Sequence, residues 1–331
     1  MTFSQNQKPL PVLHSVPGVQ GDTISCLSWS PCSHFFAASS WDASTNIWDI
    51  SKGPAPPVAQ VKHERPIFSC CFPTSTTLVT VGGDVYVKLT DLNTKQETKI
   101  GEHQLPIRVV KFNSTVNSIA TASWDRKVSF WNGTAGAQPV MQIPLNERIY
   151  AMDTFDNCCV VSTAEHMLYV IDLRNPTKPM NQFQVETQAT CAAIMPNMYA
   201  SSIGTRNGKV QTHSFNEQQF KSFPFTAQSN QTTRIISAVN AISYSSTSFL
   251  CTGGGDCTYS IWDMANRKLC RKSQLFQHPI TALSFSPDNK FLAFAAGPDW
   301  ETGPATAQQR SIPVQIGLHE LSDVDFQPGP L

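Results

Sequence analysis

The sequence lacks an excess of either charge and lacks any long apolar run. Its 331 residues include 24 Lys and Arg against 24 Asp and Glu, so the formal net charge is zero. A basic surface over the whole chain is therefore not expected, although a local basic patch is compatible with this balance. No apolar stretch approaches the roughly 20 residues of a membrane-spanning helix, and residues 1–11 lack the apolar core of a secretion signal. We expect no membrane insertion.

Paired spacings typical of metal sites or disulfides are also missing. The ten cysteines include no C-x-x-C pair, and most of them lie in apolar runs typical of strands. Free, buried thiols in a reducing compartment, the cytosol or the nucleus, are the expected state. We predict no metal ion and no cofactor.

Catalytic motifs are absent as well. His63, His103 and His278 each precede a predicted strand, and no carboxylate or cysteine accompanies them at metal-ligand spacing. Ser123 lies in no G-x-S-x-G sequence, which disfavours a nucleophile elbow. The glycines at 253–255 are followed by neither a helix nor a lysine, which disfavours a phosphate-binding loop. The sequence predicts a protein without enzymatic activity and without a small-molecule substrate.

What the sequence does contain is a repeat. Residues 101–132 hold three short runs of alternating apolar and polar residues, separated by turns. The pattern occurs seven times, and the first six units have third-strand anchors about 40 to 50 residues apart, at Trp48, Thr90, Trp131, Ile171, His213 and Trp262. A weaker fourth strand follows in the clearest units. This periodicity predicts an all-β fold, a seven-bladed β-propeller, in a single domain over residues 1–331.

The last unit has no outer strand of its own. Its third strand, which ends near residue 318, is followed by a tail that contains Pro and Gly, so the strand predicted at residues 11–15 is the available partner. Pairing this N-terminal strand with the last blade would close the ring and remove its open edges. Residues 1–8 and 322–331 are predicted to be flexible tails.

Two third strands end in Trp-Asp, as Ile47-Trp48-Asp49 and Ile261-Trp262-Asp263, and aspartates recur in the turns before them. In these marks, over nearly its whole length, the chain resembles the WD40 family. The resemblance implies a hydrogen-bonded set in a blade: a loop His, a second-strand Ser or Thr, a turn Asp and a third-strand Trp. Only the third unit carries all four, at His103, Ser123, Asp125 and Trp131. A satisfied network of this kind rigidifies a blade, because an unpaired buried polar group is costly.

Two further tryptophans, Trp41 and Trp124, lie between the Ser and the Asp of a second-to-third-strand turn. Since other tryptophans fill the third-strand positions, we expect these two at the surface, where Trp is typical of binding hot spots. The alternative is that each packs on a neighbouring loop. Arg206 and Lys209 flank the equivalent turn of unit five. Turns of different blades converge on one face, so these four residues predict an amphipathic surface for an acidic peptide.

Four features carry a narrower resemblance: Glu147-Arg148-Ile149-Tyr150, the two Ser-Trp turns, residues 238–242, and Pro298-Asp299-Trp300-Glu301. In these the chain looks like the nuclear mRNA-export factors of the WD40 family. The resemblance implies docking at nuclear pores through a nucleoporin, whose short Glu-containing segment lies across the propeller face at Trp41 and Trp124. Lys209 stands where these factors usually have Arg, which keeps the charge but loses the bidentate fork. The implied location is the nucleus, the nuclear envelope with its pore complexes, and also the cytoplasm.

A second surface is predicted beside unit six. Basic residues cluster there at Arg267, Lys268, Arg271 and Lys272. Tyr259 and Trp300 match aromatic positions that, in the export factors, line a pocket used by partners and near nucleic acid. Aromatic stacking with local positive charge is sufficient to bind single-stranded RNA, whereas an ordinary solvated loop is the alternative.

Two rival functions remain open. The WD40 spindle-checkpoint adaptor, which carries checkpoint kinases, shares most of the same marks. A ubiquitin-ligase substrate receptor is the more distant rival, because Ile171-Asp172-Leu173-Arg174 resembles the Trp-Asp-x-Arg box of such receptors, with Ile in place of Trp.

Overall fold

The computed structural model describes residues 12–19, 21–53, 55–136, 138–227, 236–299 and 313–328. These residues form seven four-stranded antiparallel sheets. The innermost strand of each sheet contacts the innermost strand of the next, and the last contacts the first, so the sheets are blades around a central channel. The chain is a seven-bladed β-propeller, as its repeats predict. In the part of the chain described, no helix is long and apolar enough to cross a membrane.

The strands of the first four blades follow one another as simple meanders. Strand β1 (Val12–Ser15) precedes them. Blade one has β2 (Ile24–Trp29), β3 (Phe35–Ser40), β4 (Ser44–Asp49) and β5 (Ala59–Lys62), with a 3-10 helix at Ile50–Lys52. Blade two has β6 (Ile67–Cys71), β7 (Thr77–Gly82), β8 (Tyr86–Asp91) and β9 (Glu97–Glu102). Blade three has β10 (Ile107–Asn113), β11 (Ser118–Ser123), β12 (Lys127–Trp131) and β13 (Met141–Pro144). Blade four has β14 (Ile149–Phe155), β15 (Cys158–Thr163), β16 (Met167–Asp172) and β17 (Asn181–Gln184).

The remaining blades repeat the pattern, and only the last borrows a strand. Blade five has β18 (Ala189–Ile194), β19 (Ala200–Thr205), β20 (Lys209–Ser214) and β21 (Phe223–Thr226). Blade six has β22 (Val239–Tyr244), β23 (Phe249–Gly254), β24 (Tyr259–Asp263) and β25 (Lys268–Lys272). Blade seven has β26 (Ile280–Phe285), β27 (Phe291–Ala296) and β28 (Gln315–Glu320), and β1 pairs with β28 as its outer strand.

The closure by the N-terminal strand is confirmed. Val12 pairs with Glu320 and Ser15 with Gly317 in antiparallel register. Backbone hydrogen bonds therefore join the two ends of the chain in one blade, and β1 covers the edge that β28 would otherwise expose.

The core lies between neighbouring blades. Second strands are buried over most or all of their length, as β11 and β15 are over all of it, because both of their faces are covered. At position 101 the packing leaves room only for glycine, because a Cβ on Gly101 would lie 2.3 Å from the ring of Trp131. Since Trp131 is itself buried, the outer strand of blade two can pass it only without a side chain.

One irregularity recurs in every blade. Near the start of each first strand the pairing with the second strand shifts by one residue, which is a β-bulge. The extra residues, here called the bulge ring, are Ser25, Phe68, Arg108, Tyr150, Thr190, Asn240 and Thr281. A bulge re-aims a side chain that regular alternation would direct elsewhere.

The hydrogen-bonded set of blade three contains one residue that differs from the prediction. Trp131 Nε1–H donates to Thr121 Oγ1 at 2.8 Å, and His103 Nε2 lies 2.8 Å from the same oxygen. His103 Nδ1 lies 2.9 Å from Asp125 Oδ2. The second-strand member is thus Thr121, and the assignment of Ser123 to this place was wrong. Ser123 lies two residues further along, where its hydroxyl donates to the carbonyl oxygen of Leu105 at 2.9 Å and so holds the turn.

The chain end also differs from the prediction. Residues 322–328 were expected to be flexible, but Asp323–Phe326 form a 3-10 helix that packs on blade six. Asp325 is only 2% exposed, forms an ion pair with Arg271 and lies 3.4 Å from His319. Phe326 packs on Phe249 with 4.8 Å between ring centroids. The expectation of a flexible tail was therefore wrong for this segment, while residues 1–8 and 329–331 lie outside the described residues.

Candidate binding site at the channel mouth

A cavity of about 710 Å³, here called the channel-mouth cavity, opens at one end of the central channel. All seven residues of the bulge ring line it, together with residues of the second-to-third-strand turns, among them Trp41, Trp124 and Arg206. A second cavity of about 280 Å³ is lined further along the first strands and includes Lys111 and Asp153. The mouth is thus built from equivalent positions of all seven blades.

Identical local bonding holds the two turn tryptophans at this mouth. In blade one the backbone N–H of Trp41 donates to the carbonyl oxygen of Thr23 at 3.0 Å. In blade three the N–H of Trp124 donates to the carbonyl oxygen of Pro106, also at 3.0 Å. The Ser before each Trp anchors the turn, because its hydroxyl donates to the preceding loop and accepts the N–H of the following Asp. Ser-Trp-Asp therefore folds into a turn that presents its central side chain to the cavity.

The two tryptophans belong to one aromatic cluster, defined as Trp41, Phe68 and Trp124. The ring centroids of Trp41 and Phe68 are 5.3 Å apart, and those of Phe68 and Trp124 are 6.0 Å apart. Trp41 is 45% exposed, whereas Trp124 is only partly exposed. The expectation of surface tryptophans is met for Trp41, and Phe68 from the intervening blade joins the pair into a continuous apolar surface.

Trp124 has an unusual polar atom. Its Nε1–H is buried and has no hydrogen-bond acceptor among the described residues. A buried donor without a partner costs free energy, typically about 1 to 3 kcal/mol, so this indole N–H is an unfavourable feature of the turn.

The predicted cations separate in the structure. Arg206 lines the channel-mouth cavity with Trp41 and Trp124. Lys209 does not line this cavity, and its Nζ lies 2.7 Å from Glu186 Oε2. The hydrogen bond from Lys209 is the main cause that lowers the pKa of Glu186. The surface predicted from four residues is therefore assembled from three, and Lys209 is engaged beside it.

Sequence reasoning missed two residues that the mouth depends on, Phe68 and Arg108. Both are bulge residues, and Tyr150 on the next blade is a third. The sequence did hold a positional signal. Each of these three residues directly follows the first apolar residue of its first strand, so they occupy equivalent positions when the seven units are aligned. Alternation alone does not reveal a bulge.

The second predicted surface, beside blade six, is only partly exposed. Tyr259 is fully buried and its hydroxyl lies 3.0 Å from His319 Nδ1, so its assignment to a partner edge was wrong. Arg271 is likewise buried in its ion pair with Asp325, and placing it on an exposed basic patch was wrong. The reason is that the chain end packs over this edge.

The other members of that surface have different surroundings. Lys272 is exposed, and its Nζ lies 3.3 Å from Asp256 Oδ2. Arg267 lies over the ring of Phe223, 4.2 Å from its centroid, and Lys268 is exposed. Trp300 lies outside the described residues. Among the described members, only Arg267, Lys268 and Lys272 are at the surface.

Comparison with known proteins agrees with the fold. The family model described as WD domain, G-beta repeat matches residues 11–49, 94–132 and 269–300. The chain is 30% identical to the WD40 repeat protein poxJ of Penicillium oxalicum, over 98% of this chain and 97% of that protein. It is 31% identical to an mRNA export factor of Danio rerio, over 85% of this chain and 82% of that protein. It is 27% identical to the mitotic checkpoint protein BUB3.1 of Arabidopsis thaliana, over 93% of each.

The repeats, the seven blades and these relatives agree with one another. The chain belongs to the WD40-repeat family, and proteins named as mRNA export factors are among its relatives.

Proposed function

We propose that the protein is a non-enzymatic adaptor in mRNA export, which docks at the nuclear pore by binding a short Glu-containing segment of a nucleoporin. The observation that carries the proposal is the channel-mouth cavity, where an exposed Trp41, a partly exposed Trp124 and Arg206 meet. The name of the Danio rerio relative supports the process. The implied location is the nucleus and its pore complexes, with exchange to the cytoplasm.

The chemistry of the mouth suits a peptide more than a rigid small ligand. The aromatic cluster offers apolar surface to the side chains of a bound segment, and aromatic residues at such positions dominate binding energies. Arg206 offers a guanidinium to a glutamate, which fixes the register of the segment more than it adds affinity. An extended or hairpin segment across the mouth would meet both.

The test is a peptide array of overlapping nucleoporin segments, followed by titration of the tightest segment. Trp41→Ala and Trp124→Ala should each weaken binding by about 2 kcal/mol, which is a factor of about 30. Phe155→Ala is the matched control, because Phe155 is 45% exposed at the far end of its strand. Equal affinity in wild type and both Trp variants, with unchanged melting temperature, would contradict the proposal, as would an array without any binding segment.

A checkpoint adaptor is the second candidate, and the similarity to BUB3.1 favours it. The same mouth would then receive a segment of a checkpoint kinase. The partner decides between the two, so the array should include segments of checkpoint kinases beside the nucleoporin segments.

Two other candidates have less support. Tyr259 and Arg271 are buried, so they are not accessible for a direct RNA contact beside blade six. A ubiquitin-ligase role rests on Arg174, whose guanidinium is held by Asp172 at 2.7 Å within the same turn. For RNA, retention that falls steeply with salt would restore the candidate.

A further inference from the structure

Two thiols from neighbouring blades meet beside the central channel. Cys26 lies on β2 of blade one, and Cys70 lies on β6 of blade two. Both pack in the apolar cluster that fills the interface between these blades, together with Ala37 and Ile47. Cys26 Sγ lies 3.7 Å from the carbonyl oxygen of Cys70, and the two thiol groups are hydrogen-bonded to each other. The pair therefore spans the interface between the first two blades.

The two thiols differ in their access to the channel. Cys26 is partly exposed and lines the second channel cavity, the one of about 280 Å³. Cys70 is only 3% exposed and lines neither channel cavity. A small solute in the channel can therefore reach Cys26, with the second thiol in contact behind it.

The surroundings of Cys26 favour its thiolate. The hydrogen bond from the Cys70 thiol is the main cause that lowers the pKa of Cys26, and burial acts in the opposite direction. Lys111 on blade three also lowers the pKa, although its charge is partly offset by Asp153, whose Oδ1 lies 3.3 Å from Lys111 Nζ. Ser69 Oγ–H donates to Cys26 Sγ at 3.8 Å. The same hydrogen bond between the thiols raises the pKa of Cys70, which keeps its proton. A thiolate beside a protonated thiol suits a reactive cysteine with a resolving cysteine.

The other two cysteines of these blades have different neighbours. Cys71 directly follows Cys70 but packs in the cluster between blades two and three, where burial raises its pKa. Cys32 is exposed, and its Sγ lies 3.4 Å from the hydroxyl oxygen of Ser30. These two cysteines therefore provide controls for the pair.

We propose that Cys26 is a site of reversible oxidation by hydrogen peroxide and that Cys70 is its resolving residue, so that oxidation joins blades one and two by a disulfide bond. Intracellular disulfides of this kind are typically transient and redox-sensing, and the pair is expected to be reduced in the resting protein. The inference does not rest on the proposed function.

The chemistry takes two steps. In the first, the Cys26 thiolate attacks one oxygen of the peroxide, so that an S–O bond forms, the O–O bond breaks and the hydroxide that leaves takes a proton from solvent to become water. In the second, the sulfur of Cys70 attacks the sulfur of Cys26, so that the S–S bond forms, the S–O bond breaks and the hydroxide leaves as water with the proton of Cys70. The two sulfurs together lose two electrons and the peroxide gains them. A dithiol reductant reverses the oxidation.

The disulfide bond would form close to the aromatic cluster at the mouth. Trp41 of blade one and Phe68 of blade two contact each other across the same interface, with 5.3 Å between ring centroids. Phe68 lies two residues before Cys70 on β6. A covalent link at this place would hold the two blades together beside the channel-mouth cavity.

The experiment treats the purified full chain with hydrogen peroxide, alkylates the remaining thiols and digests the protein with trypsin under non-reducing conditions. Cys26 and Cys70 fall in different tryptic peptides, so a disulfide bond between them appears in mass spectrometry as a linked pair that separates on reduction with dithiothreitol. Wild type should show this pair, and Cys26→Ser and Cys70→Ala should each lose it. The controls Cys71→Ala and Cys32→Ser should retain it.

Dimedone, which labels sulfenic acids, gives a second readout. In Cys70→Ala the oxidised Cys26 has no resolving thiol, so its labelling should rise at least about fivefold over wild type. Absence of the linked pair from wild type, or its loss in Cys71→Ala and retention in Cys70→Ala, would overturn the proposal. So would a Cys70→Ala protein with an unchanged melting temperature and no dimedone label on Cys26.

Discussion

A single hydroxyl group, that of Thr121, organises the buried polar groups of blade three. It accepts the indole N–H of Trp131, lies within 2.8 Å of His103 Nε2 and donates to the carbonyl oxygen of Ser129. Thr121 is fully buried, so water cannot replace it. Removing the hydroxyl leaves an indole donor and an imidazole nitrogen unpaired at once.

Thr121→Val should therefore destabilise the protein by about 2 to 4 kcal/mol, since each buried group that loses its partner costs about 1 to 3 kcal/mol. Urea-induced unfolding gives the free energy of unfolding directly. Thr98→Val on the outer strand of blade two is the isosteric control and should change it by less than about 0.5 kcal/mol. A loss below about 0.5 kcal/mol for Thr121→Val would show that the hydroxyl does not hold the network.

For single residues, the resemblance to the WD40 family implied which kinds of residue form the network, but the wrong hydroxyl residue of the second strand was chosen. Thr121 and Ser123 lie two residues apart, on the same face of one strand. Spacing cannot separate them, because both are small hydroxyl residues in a buried strand. Which hydroxyl joins the network depends on which one the Trp131 indole can reach, and the pairing of β12 with β11 sets that reach. Tyr259 was wrongly assigned to a surface for a related reason, since the local sequence pattern does not show that the chain end packs over it.

Among the elements, the short 3-10 helix at the chain end holds the end of the chain on blade six. Asp325 receives the N–H of Ser322 at 2.9 Å and pairs with Arg271 from the outer strand of blade six. Burial raises the pKa of the Asp325 carboxyl, but hydrogen bonds from His319 and Ser322 outweigh it and lower the pKa to about 2. The helix thus fixes the chain end through one carboxylate.

The pH dependence of stability follows from the lowered pKa of Asp325. Because the folded pKa lies below the usual 3.8, the carboxylate stabilises the fold above about pH 4 and loses this contribution as the pH falls toward 2. Asp325→Asn should cost about 2 kcal/mol at neutral pH, and the difference from wild type should shrink below about pH 4. Urea unfolding at several pH values measures both. Asp323→Asn, on the exposed side of the same helix, is the control, and an equal effect of the two variants would contradict the account.

Elements were predicted well wherever the repeat supported them. First, second and third strands were placed in every unit because seven copies of one pattern reinforce one another, and β1 was found because the last blade lacked an outer strand. The bulges were not predicted, since an extra residue at a strand start breaks the alternation that defines the strand. Arg108 and Phe68 are therefore the parts of the site that needed the structure.

In the whole molecule, the ring converts small differences between units into one asymmetric surface. Seven equivalent bulges and several second-to-third-strand turns surround one opening, and only some of these positions carry Trp or Arg. The repeat supplies the scaffold, and under the proposed function the departures from it supply binding specificity. Trp41 and Trp124 are two of those departures, and Arg108 is a third.

The most direct test of the central claim is affinity purification of the tagged full chain from nuclear extract, with bound proteins quantified by mass spectrometry. Wild type and Phe155→Ala should retain a nucleoporin, and the double variant Trp41→Ala/Trp124→Ala should lose it while keeping its melting temperature. Retention of checkpoint kinases in place of a nucleoporin, or equal nucleoporin retention by the double variant, would contradict the account.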